Sequence, residues 1–314
     1  MKALITGING FVGEYLSDFL ISNQIDVYGT VLSEEASIEN ISDNKIFKMD
    51  LLDKNEVNKI IAEIKPDYIF HLAGQSSVAL SWKKPDLTIN VNVIGTINLL
   101  EAVKLYSNKS RVLIIGSSDQ YGIVNPEQCP ISENTPMNPQ SPYATSKKTQ
   151  EEIAIQYFKA FKINTIIVRA FNHIGPKQNK GFVIADFASQ IAEIEKEKKA
   201  AIIKVGNLDA KRDFTDVRDV VRAYYLVMTN GKPGEIYNVG SGITYKIKEI
   251  LDKLLSLAKV SIYIEKDNDK MRPSDVPLIQ CDNSKISTEC GWTLQYPIDQ
   301  TLIDTLNYWR RCSS

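Results

Sequence analysis

Two alternating patterns of apolar and polar positions run through the first two-thirds of the chain. Short apolar runs rich in β-branched residues predict buried strands, and longer stretches with a helical spacing of apolar residues predict helices. The predicted strands are Lys2–Thr6, Asp26–Val31, Lys45–Met49, Tyr68–Leu72, Arg111–Gly116 and Asn164–Arg169. The predicted helices are Phe11–Ser22, Lys54–Ile64, Asp86–Leu105 and Tyr143–Phe161. Strands that alternate with helices form right-handed crossovers, so we predict an α/β fold with a doubly wound parallel sheet.

The regular alternation of strands and helices changes after the sixth predicted strand. Residues 172–181 are rich in Asn, Gly and Pro and predict a loop, and a helix is expected from Phe182 to about Lys198. A later helix and strand are expected to return to the sheet: Val217–Met228 and Glu235–Val239. We expect a sheet domain and a smaller α+β C-terminal lobe that binds substrate: residues 1–169 with 217–240, and residues 170–216 with 241–314.

Composition narrows the class of protein. The 314 residues include 37 basic and 38 acidic side chains, for a formal net charge of −1. This balance argues against a nucleic-acid partner, and no apolar run reaches the roughly 18 residues that a membrane span needs. The first residues lack the pattern of a secretory signal, and the four cysteines are scattered without a C-x-x-C pair. We therefore expect a cytoplasmic protein without a metal site.

A glycine-rich turn joins the first predicted strand to the first predicted helix. Gly7, Gly10 and Gly13 give it the form G-x-x-G-x-x-G. Glycine allows a positive φ and a close approach of backbone to ligand, and free N–H groups at a helix start favour a pyrophosphate. A tight turn without a ligand can carry the same glycines. The strand before it and the helix after it indicate a dinucleotide-binding Rossmann turn, in which Phe11 and Val12 also contact the cofactor.

The end of the second predicted strand bears on the choice of nicotinamide cofactor. NAD enzymes often place an acid there for the ribose hydroxyl, whereas NADP enzymes place an arginine. This chain has Thr30 and Ser33, which could bond a 2′-phosphate, followed by Glu34 and Glu35, which would repel one. The balance favours NADP, and NAD stays an alternative.

Further cofactor contacts are expected where the third and fourth predicted strands end. Asp50 and Leu51 are candidates for the adenine, although Asp50 is equally suited to cap the helix that follows. Leu72 and Ala73 follow at the next strand end. The carboxyl ends of parallel strands lie at one edge of the sheet, where a dinucleotide binds.

A tyrosine and a lysine lie four residues apart near the start of a predicted helix. This spacing places the phenol of Tyr143 and the ammonium of Lys147 on one face, one turn apart. Reduction of a carbonyl needs a proton as well as a hydride. A free tyrosine has a pKa of about 10, and the positive charge of Lys147 is expected to lower it.

The glycine turn, the segment Ser117-Ser118-Asp119-Gln120-Tyr121-Gly122 and the Tyr143-x-x-x-Lys147 pair together resemble the extended short-chain dehydrogenase family. The resemblance implies that Ser117 binds the substrate oxygen, that Tyr143 donates the proton and that Lys147 holds the nicotinamide ribose. It also implies a homodimer, formed through the helices predicted at Asp86–Leu105 and Tyr143–Phe161.

Three downstream segments are similar to the GDP-mannose 4,6-dehydratases and their partner reductases, which implies a GDP-sugar substrate. These segments are 169–176, 206–213 and 272–275. In the first of them Asn172 is expected to donate to the diphosphate, and His173 is expected to be a structural loop residue. The implied substrate-binding residues are Ser118, Asp119, Asn172, Phe182, Val183, Asn207, Arg212, Arg272 and Asp275.

Two departures from the family patterns bear on the reaction. The dehydratases carry Glu where this chain has Asp119, and the shorter acid disfavours removal of the C5 proton. Gly74 stands where the family more usually has a second alanine. We expect reduction of the C4 ketone of GDP-4-dehydro-6-deoxy-D-mannose, with a nucleotide-sugar dehydratase or epimerase as the alternative. A dinucleotide-sensing protein without catalysis is disfavoured because the Ser, Tyr and Lys are all present.

Overall fold

The predicted alternation of strands and helices is present in the computed structural model, which describes residues 1–33, 38, 40–267, 270 and 276–312. The strands are β1 (Lys2–Thr6), β2 (Asp26–Val31), β3 (Ile46–Lys48), β4 (Tyr68–His71), β5 (Arg111–Ser117), β6 (Asn164–Ala170), β7 (Asn172–Ile174), β8 (Ile202–Val205), β9 (Lys211–Asp216), β10 (Ile236–Val239), β11 (Thr244–Lys246) and β12 (Tyr263–Lys266). The helices are α1 (Phe11–Ser22), α2 (Lys54–Ile64), α3 (Val78–Lys83), α4 (Pro85–Ile89), α5 (Gly95–Tyr106), α6 (Pro142–Phe161), α7 (Val183–Glu195), α8 (Val217–Asn230), α9 (Ile247–Ser256), α10 (Ser284–Cys290) and α11 (Ile298–Cys312).

A seven-stranded sheet runs through the molecule in the order β10-β6-β5-β4-β1-β2-β3. Every neighbouring pair of strands is parallel. The chain winds outward from β1 in both directions, so the strand order reverses between β1 and β4. A crevice opens at the carboxyl ends of the strands at such a reversal, and ligands of doubly wound folds bind there. The predicted α/β Rossmann fold is confirmed.

Two apolar layers cover the faces of this sheet. Helices α1, α8 and α10 pack on one face, where Leu16 and Val220 are buried. Helices α2, α5 and α6 pack on the other, where Ile61, Leu99 and Ala154 are buried. Buried residues alternate between the two layers along each strand because successive side chains point to opposite faces. Among the described residues, no helix is both long enough and apolar enough to cross a membrane.

The helix predicted at Asp86–Leu105 is interrupted by a π-helical segment, Asn90–Ile94, between α4 and α5. Asn92 lies in this wide turn and is fully buried. Its Oδ1 accepts from Gln75 N at 2.8 Å, and its Nδ2 donates to Gln75 O at 3.0 Å and to Ser146 Oγ at 2.9 Å. The interruption therefore accompanies a side chain that fastens two other segments, as is frequent for π-helical turns at functional sites.

A second apolar core lies among α7, α9 and α11, beside two small sheets with the orders β11-β9-β7 and β12-β8. The short strand β7 lies within residues 172–181, where a loop was predicted, because it is completed by pairing with the distant strand β9. β10 pairs with β6 and so belongs to the large sheet. We propose residues 1–169 with 217–240 as the cofactor domain and residues 170–216 with 241–314 as the substrate lobe.

Candidate active site

The glycine turn lies at the crevice and is packed too tightly for side chains. Gly7 has a φ of +69°, and a Cβ there would lie 3.0 Å from Ala73 Cα. A Cβ on Gly13 would lie 2.4 Å from Ile8 O. Gly10 precedes α1 without a capping side chain, and Phe11 and Val12 form its first turn. The first N–H groups of a helix lack intrahelical acceptors, so this end suits an anionic group.

The neighbouring strand end supports the glycine turn through its backbone. Ile8 N donates to Thr30 O at 3.1 Å. The Thr30 residue is only 2% exposed, whereas Ser33 is exposed. Thr30 thus holds the turn through its carbonyl. Glu34 and Glu35, which were expected to repel a 2′-phosphate, lie outside the described residues.

Two roles were predicted for Asp50: contact with the adenine and capping of α2. The carboxylate that caps α2 belongs to Asp53, while Asp50 is exposed and accepts from Leu52 N at 2.9 Å. Leu51 is buried beside it and packs against the start of α5. Helix capping is therefore assigned to Asp53, and Asp50 lies at the surface.

Ser117, Tyr143 and Lys147 come together at the end of β5 and the first turns of α6. All three residues are buried, with exposed fractions of 8%, 9% and 7%. The helix begins sharply because Ser141 caps it and a proline occupies its first turn. Ser117 lies close enough to Tyr143 for its side chain to affect the pKa of the phenol. Lys147 Nζ donates to Ile115 O at 2.9 Å, inside the sheet.

The protonation of this pair differs from the expectation. Burial, together with the negative charge of Asp119, raises the pKa of Tyr143, and the nearby polar side chain of Ser117 only partly opposes this rise. Burial lowers the pKa of Lys147 to about 8. The prediction that Lys147 lowers the pKa of the phenol is wrong in direction, because burial outweighs any effect of the ammonium. Tyr143 thus keeps its proton at neutral pH.

A short helical turn after β5 carries the next residues of the motif. Ser117 N donates to Gln120 Oε1 at 2.7 Å, and Ser117 Oγ accepts from Asp119 N at 3.2 Å. Ser118 is only 4% exposed, which leaves its side chain little access to a substrate. Asp119 is half-buried, and its charge acts on Tyr143. The turn thus sets an acid beside the phenol.

Behind this turn lies a buried ion pair that sequence reasoning missed. Arg169 Nη2 lies 2.6 Å from Glu151 Oε1, and the two residues are 3% and 1% exposed. Glu151 Oε2 also accepts from Gln120 Nε2 at 2.9 Å, and Arg169 Nη1 donates to Tyr121 Oη at 2.8 Å. The signal in the sequence was an acid four residues after Lys147, on the same face of the predicted helix.

Asn172 lies on β7, where it pairs with Phe214 of β9. Its Nδ2 is buried and lacks a hydrogen-bond partner. A buried donor without an acceptor costs free energy, so this amide is poised for a ligand oxygen. The adjacent His173 ring stacks on Phe11 with the centroids 6.0 Å apart, which joins the loop to the glycine turn. This packing supports the structural role expected for His173.

The other predicted substrate residues are spread over the same lobe. Phe182 and Val183 begin α7, and the Phe182 residue is 42% exposed. Arg212 on β9 donates to Val276 O at 2.6 Å, and Asn207 Oδ1 accepts from the nearby backbone at 2.9 Å. Two members of the predicted set lie outside the described residues: Arg272 and Asp275.

The glycine that departs from the family pattern borders the site. A Cβ on Gly74 would lie 2.9 Å from Asn92 Oδ1 and 3.8 Å from Lys147 Nζ. The first distance is shorter than real Cβ contacts, and Asn92 Oδ1 is held by Gln75 N. The absence of a side chain at Gly74 therefore makes room for the buried amide of Asn92.

Comparison with known proteins agrees with this geometry. A family described as GDP-mannose 4,6 dehydratase matches residues 4–305. The chain is 33% identical to GDP-6-deoxy-D-mannose reductase of Pseudomonas aeruginosa, over 98% of this chain and 97% of that protein. It is 27% identical to GDP-mannose 4,6-dehydratase of Vibrio cholerae, over 95% of this chain and 91% of that one. Among solved structures, RMD from Pseudomonas aeruginosa complexed with NADPH has a TM-score of 0.89 and 32% identity, over 99% of both chains.

Proposed function

Since this chain belongs to the GDP-mannose 4,6-dehydratase family, we propose that it reduces the C4 ketone of GDP-4-dehydro-6-deoxy-D-mannose to give GDP-D-rhamnose, with NADPH as the reductant. The chain is an enzyme of the nucleotide-sugar dehydratase and reductase group, and the proposal specifies its reaction. The observation that carries the proposal is the buried pair of Ser117 and Tyr143, whose phenol keeps its proton at neutral pH.

In the proposed reaction Ser117 and Tyr143 bind the ketone oxygen. NADPH, held by its pyrophosphate at the glycine turn, would supply the hydride for C4. As the carbonyl π electrons move to oxygen, Ser117 donates a hydrogen bond to the developing alkoxide, and Tyr143 transfers its proton to it. Lys147 lies one turn along α6 and supports the resulting phenolate with its positive charge.

The glycine turn fits the proposed dinucleotide. Gly7 and Gly13 leave a backbone cradle that a Cβ would fill, and the uncapped start of α1 at Gly10 offers N–H groups to a pyrophosphate. NADPH is favoured over NADH because the similar RMD structure is described as complexed with NADPH. NAD remains the second candidate, since a similar UDP-glucose 4-epimerase from Thermus thermophilus is described as a complex with NAD.

Asn172 supports the proposed GDP-sugar. Its buried amide has no partner and is adjacent in sequence to His173, which stacks on Phe11 of the cofactor turn, so it can donate to a diphosphate oxygen. Arg212 on the neighbouring strand β9 adds a planar donor fork suited to phosphate. We assign both residues to the diphosphate, with Phe182 and Asn207 at the same ligand.

Asp119 favours reduction over dehydration within this family. Its carboxylate is one methylene shorter than the Glu of the dehydratases, so it reaches less far toward C5. Its negative charge also helps to keep the proton on Tyr143, which suits an acid. A GDP-mannose dehydratase is the alternative function, favoured by the similarity to the Vibrio cholerae enzyme.

We also propose that two copies of the chain pair through α5 and α6. Leu105, Tyr106 and Phe161 lie on these helices with exposed fractions of 59%, 42% and 51%. Exposed large apolar side chains on neighbouring helices are suited to a protein interface. A homodimer would cover them with the same helices of a second copy.

The test of the function follows NADPH absorbance after mixing with freshly made GDP-4-dehydro-6-deoxy-D-mannose. We expect rapid oxidation by the wild type and a loss of about a hundredfold or more in kcat for Tyr143→Phe, which lacks the acid. Tyr157→Phe on the same helix, whose hydroxyl bonds Glu101 instead, is the matched control and should stay active. Full activity of Tyr143→Phe would refute the mechanism. Turnover of GDP-mannose without added reductant would establish the dehydratase.

A further inference from the structure

A chain of buried hydrogen bonds runs beneath the site, away from the crevice. Lys147 Nζ donates to Gln150 Oε1 at 3.0 Å, and Gln150 Nε2 donates to Thr96 Oγ1 at 2.7 Å. Thr96 Oγ1 lies 3.0 Å from His71 Nε2. On the other side of the ring, His71 Nδ1 lies 2.9 Å from Thr6 Oγ1. All of these side chains are at most 7% exposed.

The donors and acceptors of these hydrogen bonds allow only one arrangement of the hydrogens. An ammonium only donates, so Gln150 must turn its oxygen to Lys147 and its NH₂ group to Thr96. The single hydrogen of Thr96 Oγ1 goes to Asn92 O at 2.7 Å, since otherwise two oxygen acceptors would face each other at that distance. Thr96 must therefore accept from His71 Nε2, which carries the ring hydrogen.

The hydrogen bonds of Thr6, at the other end of this series, agree with this assignment. Thr6 Oγ1 accepts from Ala73 N at 3.0 Å, so its own hydrogen is free to point at His71 Nδ1. Each polar atom of the imidazole is thus satisfied by a neutral ring. Burial lowers the pKa of His71 to about 3, and the positive charge of Lys147 on α6 adds to this effect because it disfavours a second positive charge.

We propose that His71, held as the neutral tautomer with hydrogen on Nε2, is a positioning residue that fixes the ammonium of Lys147 through Thr96 and Gln150. Through Thr6 the same ring holds the backbone of Ala73 beside the glycine turn. The two sides of the cofactor site, the end of β4 and the start of α6, are set relative to each other before any ligand binds.

The tautomer can be measured directly because the chain has only two histidines. Two-dimensional ¹⁵N–¹H spectra of the imidazoles, assigned with His173→Gln, should show His71 neutral with hydrogen on Nε2 from pH 5 to pH 8. A ring that titrates in this range, or one with hydrogen on Nδ1, would overturn the proposal. The measurement does not depend on the substrate.

The positioning role is tested with Thr96→Val, which keeps the shape of the side chain and removes the shared oxygen. We expect a loss of kcat on the order of tenfold to a hundredfold, because the ammonium of Lys147 is displaced, with a smaller change in the KM for the GDP-sugar. Thr96→Ser retains the hydroxyl and should restore most of kcat. The His71 resonances should also shift in Thr96→Val and not in Thr96→Ser.

Thr305→Val is the matched control, because Thr305 is a buried helical threonine that likewise donates to a carbonyl one turn earlier, at 2.7 Å. It should leave kcat and the His71 resonances unchanged. If Thr96→Val kept the wild-type kcat, or if Thr305→Val lost as much, the positioning role would be wrong.

Only the kcat measurement in this test depends on the proposed function. If the wild type reduced no GDP-sugar, the proposed function would fail, and the affinity for NADPH, measured by fluorescence, would be compared instead. An unchanged affinity in Thr96→Val would then overturn the positioning role.

Discussion

Lys147 is a charged residue at a place that water hardly reaches. Its pKa lies near 8 in the folded protein, below the ordinary value of 10.5 that it keeps in the unfolded chain. Between these two values the folded protein binds fewer protons, so the free energy of unfolding rises with pH across that interval. Below pH 8 the buried ammonium costs free energy, at most about 3 kcal/mol for a shift of this size.

We predict that Lys147→Met stabilises the protein at pH 7, in the absence of ligand, by about 1–3 kcal/mol, because it removes the buried charge. The gain should fall as the pH rises and vanish near the ordinary lysine pKa. Urea unfolding of both proteins at pH 7 and pH 10 measures it. Lys148→Met, at the half-buried neighbour, should change stability little at either pH. An equal gain at both pH values would contradict the assigned cause.

The spacing of the motif correctly predicted that Tyr143 and Lys147 lie one turn apart on a helix, but it did not predict the protonation state of the phenol. That state depends on how deeply Tyr143 is buried and on the charge of Asp119, which is distant in sequence. The surroundings of His71 could not be predicted either, because its partners Thr6 and Thr96 come from two other elements. Residue types at short spacing were predictable, and their electrostatic surroundings were not.

At the scale of elements, the ion pair of Glu151 and Arg169 joins α6 to β6 and, through Gln120, to the turn after β5. Its members are buried, so the loss of one leaves the other charged and unpaired. We predict that Glu151→Gln lowers the free energy of unfolding by about 3–5 kcal/mol, as measured by urea denaturation.

The matched control is Glu152→Gln, one position along the same helix. Its side chain is 52% exposed and lies 4.0 Å from Lys148 Nζ, so its removal should cost less than about 1 kcal/mol. Equal losses for the two variants would mean that helix propensity, and not the buried pair, causes the change.

The elements differ in how far the sequence predicted them. The bounds of β1, β2, α1 and α2 coincide with the predicted ones, because a clear apolar period and a glycine or an acidic cap mark their ends. The helix predicted at Asp86–Leu105 is present but contains a π-helical turn at Asn90–Ile94, where Asn92 bonds Gln75 from the β4–α3 loop. The strand β7 was missed because a three-residue strand depends on its partner β9. Elements whose ends are marked by local sequence signals were predicted, whereas features that depend on tertiary contacts were not.

At the scale of the whole molecule, the exposed apolar residues of α5 and α6 predict a dimer. Leu105→Glu places a charge in the proposed interface, and we expect it to shift the protein from dimer to monomer in sedimentation velocity without loss of helix content. Tyr263→Glu is the control, since Tyr263 is 75% exposed on the other lobe and should leave the dimer intact. A monomeric wild type, or a Leu105→Glu variant that stays dimeric, would refute this interface.

The contact between Gly74 and Asn92 has a consequence for the construction of chimeras. Residue 74 lies in the β4–α3 loop and residue 92 in the π-helical segment, so a graft that replaces one of them leaves the other in its original environment. An alanine brought in at Gly74 would press on Asn92 Oδ1, the atom that holds Gln75 N. The crossover point of a hybrid enzyme should therefore not fall between residues 74 and 92, so that both partners of this steric match are inherited from the same parent.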